Sequence, residues 1–197
     1  MQLEKLGQAI LFSALALTSS AALADGHRSS LLSYTCAGCH GFNGVSTGPA
    51  TPSIAGMNDE GFIEAMKAYK TDERPSTIMG RIAKGYSDEE IEGMAKFFKA
   101  QKFVPAVQTA DAKKAAAGKK LHDSYCEKCH EDGGTTDEDG TGVLAGQWMP
   151  YLDYAMTDFG DGSRPIGKKM KKKLNKMIKK HGKDSVDKVI HFYGSHK

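Results

Sequence analysis

The chain has 197 residues, with 27 lysines and arginines against 24 aspartates and glutamates, for a formal net charge of +3. So small an excess does not point to nucleic acid, and no basic repeats interleaved with aromatics accompany it. Beyond the amino terminus no run reaches about 18 uninterrupted apolar residues, so no membrane span is predicted in the mature chain.

In chain order, the first 24 residues read as a signal peptide. Lys5 and the amino terminus give a weakly positive start. Ile10-Leu11-Phe12 and Ala14-Leu15-Ala16-Leu17 are the densest apolar part, and Ala22-Leu23-Ala24 offers small residues for cleavage before Asp25. An uncleaved anchor is the rival reading, which the short apolar part disfavours. What remains suits one ordinary domain or two small ones.

Arg28 to Tyr34 is expected to be helical and leads into Cys36-Ala37-Gly38-Cys39-His40. A second copy, Cys126-Glu127-Lys128-Cys129-His130, lies 90 residues further on, after an expected helix from Ala110 to Tyr125. In helical geometry the cysteines and histidine fall at i, i+3 and i+4, on one face. Two thiols then reach the vinyl groups of a haem and the imidazole sits under the iron, which is the c-type attachment signal. Two disulfides, or one zinc ion on four thiolates, would use the cysteines but leave both histidines without a role. The pattern therefore predicts two covalently bound c-type haems, held by Cys36 and Cys39 and by Cys126 and Cys129. His40 and His130 are the first iron ligands. Such haem is normally attached outside the cytoplasm, so the signal peptide and the motifs together imply the periplasm.

The 90-residue shift also carries Ile54-Ala55-Gly56 onto Leu144-Ala145-Gly146. It carries Phe62, Met66 and Tyr69 onto Leu152, Met156 and Phe159, in both cases an apolar stripe at i, i+4, i+7. Asn58 is the expected cap of the first of these helices, and Pro150 suits the first turn of the second. A closing helix follows in each half. Ser87-Asp88-Glu89-Glu90 reads as a capping box ahead of Ile91, Met94, Ala95 and Phe98. Asp184 or Ser185 is expected to cap Val186, Val189, Ile190 and Tyr193. With Gln101 to Thr109 as linker, the fold class is all-α: two tandem cytochrome c-like helical domains, 25–104 and 105–197, each packed around one haem.

The sixth iron ligand decides whether the site is open to chemistry or closed for electron transfer. Met79 follows Arg74-Pro75, Met170 follows Arg164-Pro165, and they lie 43 and 44 residues after the first cysteine of their motifs. They are the expected sixth ligands. Met66 and Met156, also equivalent, are the rivals and are read as packing against the haem edge; Met177 is a weaker one. His27, His122, His181, His191 and His196 have no repeat counterpart; most are read as surface or helix-flank residues, with one of them as a haem ligand the rival reading.

Residues 164–183 hold Arg164 and nine lysines with no acidic side chain. This is either a solvated helical face or a positive field beside the second haem that steers an acidic partner. Glu131, Asp132, Asp137, Glu138 and Asp139 form an acidic loop after the second motif.

With these residues in view, the chain resembles the two-domain diheme cytochromes c, and in particular the cytochrome subunit family of flavocytochrome c sulfide dehydrogenase. The resemblance rests on Cys36–Gly41, on Ser76-Thr77-Ile78-Met79-Gly80-Arg81-Ile82-Ala83-Lys84-Gly85-Tyr86-Ser87, on Lys120–Asp123 leading to Tyr125–His130, and on Leu144-Ala145-Gly146-Gln147-Trp148. It implies a separate FAD-bearing subunit that oxidises sulfide. Electrons then pass to the two haems and on to a soluble c-type cytochrome, and this chain is no enzyme on its own. It also implies that the proline of Thr47-Gly48-Pro49 offers its carbonyl to the proximal histidine. The nearest match in the second half, Thr141-Gly142-Val143, lacks that proline. The chain has no Gly-x-Gly-x-x-Gly after a strand and no spare cysteine, so FAD and any nucleophile are expected on the partner. The other readings are a free diheme carrier donating to a terminal oxidase, and a diheme enzyme with one open iron.

Overall fold

The computed structural model of the chain describes residues 28–137 and 140–197. The expected signal peptide, His27, Glu138 and Asp139 lie outside the described residues. Every regular element among the described residues is helical. The helices are α1 (28–34), α2 (Ala37–His40), α3 (Asp59–Lys70), α4 (Met79–Ala83), α5 (Asp88–Lys99), α6 (Ala112–Tyr125), α7 (Met149–Asp161), α8 (Lys168–His181) and α9 (Asp184–Gly194). Short 3₁₀ turns occupy Phe42–Gly44 and Asp132–Gly134. Among the described residues no helix is long and apolar enough to cross a membrane.

Local chemistry explains where most helices start. Asn58 accepts the amides of Glu60 and Gly61, and α3 then carries Asp59 and Glu60 in its first turn with Lys67 and Lys70 in its last, as its dipole favours. Ser87 and Glu90 form the expected reciprocal capping box of α5. α6 begins at Ala112 rather than Ala110, because Asp111 is extended and takes the Lys114 amide as a cap. Pro150 sits in the first turn of α7. The cap expected of Asp184 or Ser185 is not made: Lys183 precedes α9 and no side chain caps it. Ser185 is fully buried, and its hydroxyl turns back to donate to the Gly182 carbonyl at 2.6 Å.

Two apolar clusters result. The first gathers Phe62, Met66, Ala83, Ile91, Met94, Ala95 and Phe98, and the second Leu121, Leu152, Met177, Val189, Ile190, Phe192 and Tyr193. Fully buried Ile91, Met94 and Phe98 each contribute about 1.5–3 kcal/mol relative to exposure.

The repeat extends to backbone bonds. The amides of Ile54 and Ala55 donate to Gly44 O, and those of Leu144 and Ala145 to Gly134 O. Gly56 N reaches Phe98 O and Gly146 N reaches Tyr193 O, both at 2.8 Å. Gly44 and Gly134 have φ of 80° and 84°, and a Cβ would stand 2.9 Å from the Phe98 ring and 2.8 Å from the Tyr193 ring respectively. Glycine is therefore required twice, at equivalent places. The shift of 90 residues holds to Arg74 and Arg164 but has grown to 95 at Phe98 and Tyr193. The extra residues lie where the five-residue α4 is replaced by the fourteen-residue α8.

The halves are joined by buried polar contacts. Gln147 accepts Ser53 N at 2.9 Å through Oε1 and donates to Ser53 O at 3.0 Å through Nε2. Trp148 Nε1 donates to Ser46 O at 3.1 Å, and Asn58 N to Asp137 Oδ2 at 2.8 Å. The connecting segment is pinned as well, since Gln108 donates to Gln147 O and accepts the Met149 amide.

Candidate haem-binding site

In both motifs the first cysteine's carbonyl organises the rest. Cys36 O accepts the amides of Cys39 and His40 at 3.2 and 2.9 Å, and Cys126 O accepts those of Cys129 and His130, both at 3.0 Å. The first motif runs into the helical turn α2, whereas the second is a hydrogen-bonded turn outside any helix. Both nevertheless open into one continuous cavity of about 2360 Å³ lined by Cys36, Cys39 and His40 and by Cys126, Cys129 and His130.

The donor chemistry fits covalent haem. Burial pushes both His40 and His130 below their ordinary range, which favours the neutral imidazole that binds iron. Burial is also the main cause that raises Cys36, and it carries Cys126 to about 11, so neither is poised as a thiolate for zinc or as a nucleophile. His40 Nδ1 lies 2.9 Å from a carbonyl, which it can only meet as an N–H, leaving Nε2 free to ligate.

That carbonyl belongs to Pro52, not to Pro49. The loop turns on Ser46, whose hydroxyl lies within bonding distance of Gly48 O and Thr51 O, so the Thr47-Gly48-Pro49 stretch is spent on the turn itself. Thr51-Pro52 therefore superposes on Thr141-Gly142 at the 90-residue shift. Gly142 gives its amide to Asp137 Oδ1 at 2.6 Å, and the buried His130 Nδ1 has no hydrogen-bond partner among the described residues. The two motif histidines are thus held differently.

Methionine is plentiful around the cavity. Met79 begins α4 and Met170 lies in the first turn of α8, both half-buried, and Met66, Met156 and Met177 also line the space. Met66 and Met177 are 5% and 3% exposed and belong to the two apolar clusters.

Two arginines complete the lining. Arg74 stacks over Tyr69 at 4.7 Å and Arg164 over Phe159 at 4.3 Å, another pair related by the repeat. Burial first, and the charge of Arg74 second, lower the Arg164 guanidinium. Neither arginine has an ion-pair partner among the described residues. Two cations lining an apolar cavity suit a ligand that carries negative charge.

Among the histidines without a repeat counterpart, one stands apart. His122 is not at the surface but fully buried, with Nδ1 2.9 Å from Tyr193 Oη and Nε2 2.5 Å from Glu127 Oε2. The signal was present in sequence, since Ala115, Gly118 and His122 lie at i, i+3 and i+7, the buried stripe of α6. His181, by contrast, is exposed and meets Tyr125 Oη at 3.1 Å. The basic segment is mostly α8, with Met170, Leu174 and Met177 turned inward and its lysines outward. None of these lysines pairs with an acid among the described residues, and Lys169, Lys172, Lys173 and Lys176 reach the cavity rim.

Paired covalent attachment sites on helical scaffolds, opening on one apolar space, define a haem-bearing electron carrier. No family model matches the chain. It is 46% identical over 71 residues to the cytochrome subunit of sulfide dehydrogenase of Chlorobaculum tepidum, a match to 36% of this chain and 64% of that protein. It is 29% identical over 147 residues to cytochrome c4 of Azotobacter vinelandii, covering 66% of this chain and 69% of the relative. A 70-residue stretch is 31% identical to cytochrome c-554(548) of Halomonas halodenitrificans, covering 34% of this chain and 84% of the relative. Among solved structures, reduced cytochrome c4 from Pseudomonas stutzeri has the same fold, with a TM-score of 0.70 at 23% identity over 83% of this chain and 94% of that one. The chain belongs to the c-type cytochromes, and its two attachment motifs make it a diheme member.

Proposed function

We propose that this chain is the electron-conducting diheme subunit of a periplasmic sulfide-oxidising complex. It takes electrons from an FAD-bearing sulfide dehydrogenase subunit and passes them to a soluble c-type cytochrome. The observation that carries this reading is the single cavity reached by both Cys-x-x-Cys-His motifs, which joins two one-electron sites inside one chain. The 46% identity to a protein named as a cytochrome subunit of sulfide dehydrogenase supports the choice of partner.

Bound haem supplies reversible one-electron chemistry at iron, at a potential tuned by its axial ligands and surroundings. The chain's own residues do the rest. His40 and His130 offer neutral imidazoles. Met79 and Met170 are proposed to close the far positions, because each sits between a cavity-lining Arg-Pro pair and a closing helix. Met66 and Met177, sunk in the apolar clusters, are proposed to pack rather than ligate. The cavity-lining arginines hold negative charge between the halves, which we take as two domains, 25–104 and 105–197. With both irons closed and all four cysteines spent on haem, no group remains in this chain for sulfide chemistry, which falls to the flavoprotein.

Purification from the native source, with flavin and haem quantified together, tests the proposal. A stable flavin-containing complex whose haem is reduced by sulfide is expected. A lone, flavin-free cytochrome would instead establish the free carrier, and carbon monoxide binding to the reduced native protein would establish an open iron.

A further inference from the structure

The two attachment motifs are built differently, and the second lacks two restraints that the first has. His40 ends the helical turn α2, whose backbone closes with the Gly41 amide on the Ala37 carbonyl at 3.0 Å. Pro52 O then takes His40 Nδ1. The repeat carries Gly41 onto Glu131 and Ala37 onto Glu127. Among the described residues the Glu131 amide makes no bond to Glu127 O, and His130 Nδ1 has no partner. Neither restraint on His40 recurs at His130.

A side chain stands in their place. Glu127, the second residue of the motif, accepts the Asp132 amide at 3.1 Å through Oε1 and the Gly133 amide at 3.3 Å through Oε2. Those amides lie two and three residues past His130, so the carboxylate closes a ring of backbone around Lys128, Cys129 and His130. Its other end is fixed to α6. Oε2 also meets His122 Nε2, and the His122 carbonyl accepts the amides of Cys126 and Glu127 at 2.8 and 3.0 Å. His122 is itself fully buried, with Nδ1 2.9 Å from Tyr193 Oη of α9. The bond to His122 first, then those to Gly133 and Asp132, hold the Glu127 carboxyl below its ordinary range. At neutral pH it is an ionised acceptor, which makes the stronger kind of hydrogen bond. Two threonine hydroxyls also reach this stretch, but only at 3.3 and 3.4 Å. Ala37, at the matching place in the first motif, has no side-chain acceptor to offer.

We propose that Glu127 is the positioning residue of the second haem: its carboxylate fixes the turn that presents His130 to the iron, the part played at the first haem by α2 and Pro52. The proposal rests on His130 ligating the second iron, and not on the identity of the electron donor. Ring orientation at a metal-bound histidine is normally set by a partner on its other nitrogen. Asp137, whose charge is felt at His130, has both oxygens engaged elsewhere, Oδ1 by Gly142 N and Oδ2 by Asn58 N. With no bond at Nδ1, the imidazole is held only as well as the backbone that carries it. Glu127 acts through that backbone and coordinates nothing.

The test uses the full holo-protein, with peptide masses giving haem loading at each motif and a spectroscopic redox titration following each iron. Glu127→Ala puts the first motif's residue into the second and removes all three bonds. The second haem is expected to shift in potential and lose its single sharp low-spin signature, or its motif to load in a smaller fraction of chains. The first haem should keep its loading and its potential. A hold on His130 tenfold weaker in one oxidation state than in the other reads as about 59 mV at the second haem alone. Glu127→Gln keeps a carbonyl oxygen with two lone pairs for the amides and should restore most of both readouts. A second haem untouched by Glu127→Ala, a displacement shared equally by both haems, or a glutamine variant no better than the alanine one overturns the proposal. Should the alanine variant fail to fold, the glutamine variant decides: native loading and potential support the clasp, and a second failure overturns it. A native second motif free of haem, visible in the masses before any variant is made, would instead overturn the attachment on which the proposal rests.

Discussion

Gln147 lies in the second half but braces the loop that fixes His40 in the first. Its amide takes both backbone groups of Ser53, and Ser53 directly follows Pro52, whose carbonyl fixes His40. Gln147 is 4% exposed and Ser53 is 8% exposed, so Gln147→Ala strands one buried N–H and one buried C=O. Each such group costs about 1–3 kcal/mol. Water entering the vacated space recovers part, which leaves a net loss of about 2–4 kcal/mol. For a protein of this size that lowers the melting temperature by roughly 4–16 °C. Thermal unfolding of the holo-protein, followed by circular dichroism, measures the loss. A redox titration of the same variant should show the potential of the first haem moved and that of the second unchanged. A loss under about 1 kcal/mol, or a shift confined to the second haem, would refute the reasoning. Gln147→Glu keeps the acceptor but loses the donor and adds a buried charge, so it should be at least as destabilising.

Met79→Ala and Met170→Ala should each remove one methionine-to-iron band near the red edge of the oxidised spectrum; unchanged bands in both variants would defeat the ligand assignment. Asp88 faces Lys70 and Lys67 at 2.9 and 3.4 Å, and those bonds hold its carboxyl below the ordinary value. A lowered folded-state pKa means the contribution is present above the unfolded value and is lost as pH falls through the folded one. Acid unfolding curves should therefore steepen below about pH 4, and Asp88→Asn should remove part of that steepness. Reversing Lys169, Lys172, Lys173 and Lys176 to glutamate should slow electron exchange with an acidic acceptor and invert its dependence on ionic strength; a native rate indifferent to salt would exclude steering.

How much of this was legible beforehand depended on range in sequence. The attachment pentads, the capping box at Ser87 and the stripes of α3, α5 and α7 are local patterns, set by hydrogen-bonding capacity and apolar period within a few residues. The haem chemistry followed from them, because thiol and imidazole spacing is itself local. The 90-residue repeat likewise announced two equivalent helical halves. Tertiary structure decided whatever depends on how those halves meet. Pro52 rather than Pro49 faces His40 because Ser46 closes the preceding loop on itself. Ser185 is buried under the start of α9 instead of capping it, and His122 passes from an ordinary helix residue to the centre of a network because α9 brings Tyr193 across it. Tyr193 stands 71 residues from His122, beyond any local window. Burial and the choice of hydrogen-bond partner are properties of the packed chain.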